Sequence, residues 1–115
     1  MMLSRFVPTL LIGLAIAATA ASPSRAEDVA TFETTLKDKA FTVTEIKVPA
    51  GKPFIIKMTN ANSAPAELEA KELKIEKAAA GNSTIVVRVR AMKPGKYLFV
   101  DEYQEDVAKG YVIVE

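Results

Sequence analysis

A chain of 115 residues with a formal net charge of +1 and neither Cys nor His excludes several classes of protein at once. Zinc fingers, Cys–His and Ser–His–Asp nucleophiles and blue-copper centres all depend on one or both of these residue types. The near-neutral charge offers no electrostatic footprint for DNA or RNA, so we predict no nucleic-acid partner.

Residues 1–26 have the features of a secretory signal peptide. Arg5 precedes an apolar run at residues 10–21, and small residues stand at the two cleavage-determining positions of Ser24-Arg25-Ala26. The run is shorter than the roughly 20 residues that a transmembrane helix needs. We therefore predict a cleaved signal, a mature domain of residues 27–115 and no membrane span after cleavage; an uncleaved anchor is the alternative. Loss of the two arginines would change the net charge from +1 to −1.

Alternating apolar and polar residues predict strands in the first part of the mature domain. A weak strand signal covers residues 31–36, and a turn follows at 37–39. Residues 41–48 are rich in β-branched residues, but their apolar positions change parity between Val43 and Ile46. Such a change of phase requires either a β-bulge or a strand that crosses between two sheets.

A turn rich in Pro and Gly at residues 49–53 precedes a strand in which Phe54, Ile56 and Met58 share one face. The shared face predicts that Met58 packs in the core and is not a thioether ligand for copper(I). A second turn is predicted at residues 80–83.

The C-terminal part alternates cleanly over residues 84–90 and again at 97–100 and 111–114. Between the first two of these strands, residues 92–95 suit a type II turn, with Gly95 in the position that needs positive φ. Six to eight short strands in about 90 residues predict an all-β fold, an antiparallel Greek-key sandwich.

Residues 60–77 break the alternation. Pro65 interrupts the pattern, and four carboxylates follow within ten residues: Glu67, Glu69, Glu72 and Glu76. We predict an irregular excursion with one helical turn. A second acidic cluster follows the strand at 97–100 and consists of Asp101, Glu102, Glu105 and Asp106. A functional site is predicted where the two acidic segments approach each other.

Three motifs carry a resemblance to a known family. They are Val48-Pro-Ala-Gly-Lys-Pro-Phe54, Pro65-Ala-Glu-Leu-Glu69 and Lys93-Pro-Gly-Lys-Tyr97. In this order and spacing the chain resembles the EfeO-type cupredoxin-like domain family, small secreted modules of bacteria, over almost the whole mature domain. The resemblance implies a cupredoxin sandwich, the periplasm, and a link to iron or copper handling with a periplasmic or inner-membrane metal-transport component as partner.

The resemblance also implies where a metal would bind. Glu67 stands where copper-binding cupredoxins have their first His ligand, and Asp101 stands where they have the ligand Cys. Gln104 occupies a position that is often His in relatives. Type 1 copper is therefore not expected.

Two functions from different classes remain, and neither is an enzyme. The first is a module that binds a divalent or trivalent metal ion, iron or copper, through Glu67, Glu69, Asp101 and Glu102, since oxygen ligands suit hard cations. Glu67 and Glu69 would share one face of an extended strand and could bridge such an ion. The alternative is a metal-free interaction module that docks on a periplasmic or transporter partner, with the carboxylates as solvated surface. A hydrolase with paired carboxylates is disfavoured, because the acids are too clustered to imply two different environments.

Overall fold

The computed structural model describes residues 29–115, which form nine β-strands and two single 3₁₀ turns. The strands are β1 (Thr31–Lys37), β2 (Ala40–Phe41), β3 (Glu45–Val48), β4 (Phe54–Asn60), β5 (Ala66–Ala70), β6 (Ile75–Ala79), β7 (Ser83–Val89), β8 (Gly95–Asp101) and β9 (Lys109–Val114). No helix in this part of the chain has the length and apolar character needed to cross a membrane. The predicted signal peptide at residues 1–26 lies outside the described residues.

The strands form a sandwich of two sheets, which confirms the predicted all-β fold. One sheet has the order β2-β1-β4-β7 and the other β3-β9-β8-β5-β6. Two pairings, β1 with β4 and β3 with β9, are parallel, whereas the others are antiparallel. The two parallel pairs differ from the antiparallel arrangement that we predicted. They join strands that are not consecutive in sequence, and the alternation of residues along one strand does not reveal the direction of such a neighbour.

The core lies between the inner faces of the two sheets. Phe54, Ile56 and Met58 are all buried there, as predicted, so Met58 is a packing residue. The rings of Phe41 and Phe99 meet edge to face, with their centroids 5.0 Å apart, and tie the two sheets together.

The change of phase between Val43 and Ile46 is a crossing between the sheets. β2 pairs with β1 in the four-stranded sheet, and β3 pairs with β9 in the five-stranded sheet. The Thr34 hydroxyl fixes the crossing, because it donates to the carbonyl oxygen of Val43 at 3.0 Å and accepts from the backbone N–H of Val43 at 3.2 Å. This confirms the second of the two predicted explanations.

The predicted type II turn at residues 92–95 is wrong. Gly95 does not have positive φ and begins β8, paired with Val114. The Tyr97 hydroxyl donates to the carbonyl oxygen of Lys93 at 2.7 Å, and this hydrogen bond holds the approach to the strand. A Cβ on Gly95 would lie 3.2 Å from that hydroxyl oxygen, so glycine is explained here by the close passage of the tyrosine.

Residues 60–77 are predicted to be an irregular excursion, but only residues 61–65 are a loop, and β5 and β6 form a hairpin from Ala66 onward. The predicted helical turn is present as the 3₁₀ turn Lys71–Leu73, and the left-handed Lys74, at φ 55°, returns the chain into β6. The sequence analysis did not predict these strands, because the inner face of β5 carries only one large apolar residue, Leu68, between Ala66 and Ala70. Small side chains give a weak hydrophobic period even where they are fully buried.

Candidate metal-binding site

Three carboxylates from the two acidic segments converge on the outer face of the five-stranded sheet. One oxygen from each of Glu67, Glu76 and Glu102 lies within 4.8 Å of the others. The register of β5 and β6 accounts for the first two, because Glu76 is opposite Glu69, one outward position along β5 from Glu67. Glu102 opens the second 3₁₀ turn, Glu102–Gln104, directly after β8. The two acidic segments therefore meet, as the sequence predicts.

Asp101 holds the two segments together from beneath. Its side chain is only 2% exposed, and Oδ1 accepts hydrogen bonds from the backbone N–H groups of Glu67 at 3.1 Å and Tyr103 at 3.2 Å. Oδ2 accepts from the Gln104 amide at 2.9 Å. The carboxylate thus links the start of β5 to the turn that carries Glu102, and it accepts three hydrogen bonds from protein donors.

Crowding of the carboxyl groups changes their acidity. A hydrogen bond with Glu67 is the main reason that the pKa of Glu102 rises from 4.5 to about 7, followed by partial desolvation and repulsion from Glu67, Glu69 and Glu76. A hydrogen bond to Glu67 likewise raises the pKa of Tyr103. Near neutral pH, a proton on Glu102 therefore competes with any cation that binds among these oxygens.

The structure brings together only part of the predicted ligand set. Glu69 shares the outward face of β5 with Glu67, as expected, but it lies 3.8 Å from the Lys71 ammonium and outside the three-carboxylate cluster. Asp101 also lies outside the cluster. Gln104 is engaged with Asp101 and with the carbonyl oxygen of Asp38, at 3.3 Å.

Glu76 is the member of the cluster that the sequence analysis missed as a ligand. The only signal for it is the pairing of β5 with β6, which places it beside the outward carboxylates of β5. Because that pairing depends on recognising β5 as a strand, the irregular excursion that we predicted at residues 60–77 concealed it.

A depression lies beside the cluster on the same face of the sheet. It encloses about 450 Å³, and it is lined by apolar side chains of β8 and β9 and by charged side chains of the surrounding strands and turns: Leu98, Val100, Tyr111, Glu69, Lys71, Glu72, Glu105, Asp106 and Lys109. Glu105 and Asp106, which sequence analysis places in the second acidic cluster, line this depression and do not belong to the three-carboxylate cluster.

The class of the protein follows from the sandwich and from the family comparison. The chain matches the family model of the cupredoxin-like domain over residues 10–114 and belongs to that family. It is 30% identical over 80 residues to protein RP394 of Rickettsia prowazekii (strain Madrid E), a match that covers 70% of this chain and 64% of that protein.

Solved structures share the fold at low sequence identity. Auracyanin A, a "blue" copper protein of Chloroflexus aurantiacus, superposes with a TM-score of 0.64 at 18% identity, over 75% of this chain and 98% of that one. The metal-binding domain of the Cu(I)-exporting P-type ATPase CopA of Streptococcus pneumoniae D39 superposes with a TM-score of 0.65 at 18% identity, over 74% and 84%. At these identities the similarity establishes the fold alone.

The residues of this chain do not fit a type 1 copper centre. Such a centre needs a Cys thiolate and two His imidazoles, and the sequence contains neither residue type. The fold is therefore that of the copper proteins, whereas the clustered donor atoms are carboxylate oxygens.

Proposed function

We propose that this protein is a periplasmic cupredoxin-like module that binds a metal ion, as an accessory to iron or copper uptake or handling. The observation that carries the proposal is the convergence of Glu67, Glu76 and Glu102 within 4.8 Å. The resemblance of its motifs to the EfeO-type family supports the link to iron or copper, and the signal-like residues 1–26 support the periplasm. We propose binding and not catalysis.

The donor atoms indicate which ions would be preferred. Three carboxylates supply only hard oxygen ligands, which suit Fe(III), Mn(II) or Ca(II) and suit Cu(II) less well. The Tyr103 hydroxyl, whose pKa is raised chiefly by Glu67, offers a fourth oxygen. An ion that binds here competes with the proton on Glu102, whose pKa is raised to about 7, so the apparent affinity for the ion should rise with pH.

The double substitution Glu67→Gln/Glu102→Gln tests the proposal, because Gln keeps the shape of the side chain and removes its charge. In chelator the variant should melt at or slightly above the temperature of the native protein, since a like-charge contact is relieved. With the right ion at a hundredfold excess over its Kd, the native protein gains about 2.7 kcal/mol and the variant little. The order of the two melting temperatures should then reverse.

The matched control is Glu72→Gln/Glu105→Gln, which removes two exposed carboxylates outside the cluster and should keep the ion-dependent shift. The ions to be titrated are Fe(III) as its citrate complex, Mn(II), Ca(II) and Cu(II). If the native protein and the Glu67/Glu102 variant melt in parallel with every ion, the carboxylates are solvated surface. The interaction module would then replace the metal-binding module as the proposed function.

A further inference from the structure

The depression on the outer face of the five-stranded sheet has an apolar floor. Leu98 and Val100 of β8 and Tyr111 of β9 line it, and the Leu98 side chain is 44% exposed. The neighbouring outward position on β8 is Lys96, whose ammonium group lies over the Tyr111 ring at 4.2 Å from its centroid. Leu98, Val100 and Tyr111 together form an apolar surface rimmed by charged side chains, which is a feature of protein interaction sites.

Two acidic walls enclose this floor. Glu69 and Glu72 stand on the wall formed by β5 and the first 3₁₀ turn, and Glu105 and Asp106 stand on the loop that leads into β9. Lys71 and Lys109 also line the depression, and the Lys96 ammonium lies at its edge over Tyr111, which leaves four carboxylates against three ammonium groups. Lys71 is 3.8 Å from Glu69, so the excess negative charge belongs mainly to Glu72, Glu105 and Asp106.

We propose that this depression docks a basic segment of a partner protein. Lysine or arginine side chains of the segment lay their aliphatic stems on Leu98 and Val100 and direct their charged ends to the carboxylates of the two walls. The apolar floor and the acidic walls match the two parts of such side chains, and this match identifies the partner as cationic.

Charge and geometry disfavour two other occupants. A second copy of this chain, docked face to face, would bring its own excess of carboxylates against these walls. A single small cation needs ligands that converge, and the only group of three or more such side chains that converges within residues 29–115 is the cluster of Glu67, Glu76 and Glu102. The proposal is independent of the metal-binding function, because none of those three residues lines the depression.

The test measures the fluorescence anisotropy of a labelled ten-residue peptide in which Lys and Ser alternate, with the protein in chelator at low salt. A peptide with Glu in place of Lys is the ligand control. We expect the Lys peptide to bind, and Leu98→Ser and Glu72→Gln/Glu105→Gln each to weaken binding about fivefold. The matched control Glu33→Gln/Glu115→Gln removes two carboxylates remote from the depression and should change the affinity less than twofold. Thermal melts of each variant establish that it is folded.

Each contrary result overturns the proposal. Equal weakening by the control pair would mean that the peptide senses only the net charge of the protein. If spermidine competes as tightly as the peptide when the two are compared at equal total positive charge, the depression binds small cations. If sedimentation shows that the protein self-associates and that Leu98→Ser prevents this, the depression binds a second copy of the chain. Absence of Lys-peptide binding would leave no docking function, and because chelator is present it would not bear on the metal site.

Discussion

Replacing Asp101 by Ala should destabilise the domain severely, although a surface or ligand role for this residue would predict the opposite. The side chain is 2% exposed and accepts from three donors, the backbone N–H groups of Glu67 and Tyr103 and the amide of Gln104. A hydrogen bond to a charged group contributes about 1.5–3 kcal/mol. If two of the three donors cannot regain a partner from water, the loss is about 3–6 kcal/mol.

That loss is large for a domain of this size. At about 0.05–0.15 kcal/mol per residue, the 87 described residues account for a stability of roughly 4–13 kcal/mol. Each kcal/mol corresponds to about 4–8 °C in the melting temperature of a domain of 60–100 residues, so a fall of about 12 °C or more is expected. Circular dichroism melts in chelator would measure it, and urea titration would give the free energy of unfolding.

The matched control is Asp106→Ala, which removes an exposed acid from the same loop and should leave the melting temperature within a few degrees. Asp101→Asn keeps one acceptor oxygen and should lie between Asp101→Ala and the native protein. If Asp101→Ala melts at or above the native temperature, Asp101 is a free carboxylate whose removal relieves repulsion, and the linking role argued from its hydrogen bonds is refuted.

Three further predictions follow from the site and the core. Because the pKa of Glu102 is raised from 4.5 to about 7, the folded state holds a proton that the unfolded state releases, so stability is lost as pH rises through that window. The ion-free protein should therefore melt higher at about pH 5 than at about pH 8, and an equal difference in Glu102→Gln would contradict this cause. Copper(II) should produce no intense blue colour, since that absorption depends on a Cys ligand, and a strong visible band would overturn the donor set proposed above. Phe54→Ala should cost about 3–5 kcal/mol, because the ring is 1% exposed and packs edge to face on Phe32 at 6.2 Å; an unchanged urea midpoint would show that the core has been misassigned.

Sequence patterns predicted the parts of the fold that depend on neighbouring residues. The shared face of Phe54, Ile56 and Met58 and the crossing between Val43 and Ile46 both follow from side-chain parity within a few residues. The turn at Gly95 failed because the conformation of that residue is set by the Tyr97 hydroxyl and by pairing with Val114, and both contacts are tertiary.

The candidate site could be predicted only in outline for the same reason. The carboxylates of both acidic segments can be read from the sequence. The approach of the two segments can also be predicted, provided that both belong to one sandwich. Their roles are not visible. Asp101 accepts from the backbone of Glu67, 34 residues earlier, and Glu76 joins the cluster through the register of the β5–β6 hairpin. A carboxylate that links backbone segments and one that faces solvent have the same sequence signature.

The position of β9 in the five-stranded sheet constrains the order in which the chain can fold. This last described strand lies between β3 and β8, and it pairs in parallel with β3, which precedes it by more than sixty residues. A polypeptide that emerges N-terminus first from a ribosome or a translocation channel has no neighbour for β3 until β9 has followed. The five-stranded sheet can therefore be completed only after β9 has emerged. Long-range closure of this kind also places folding in the slow range for domains of this size, from milliseconds to seconds.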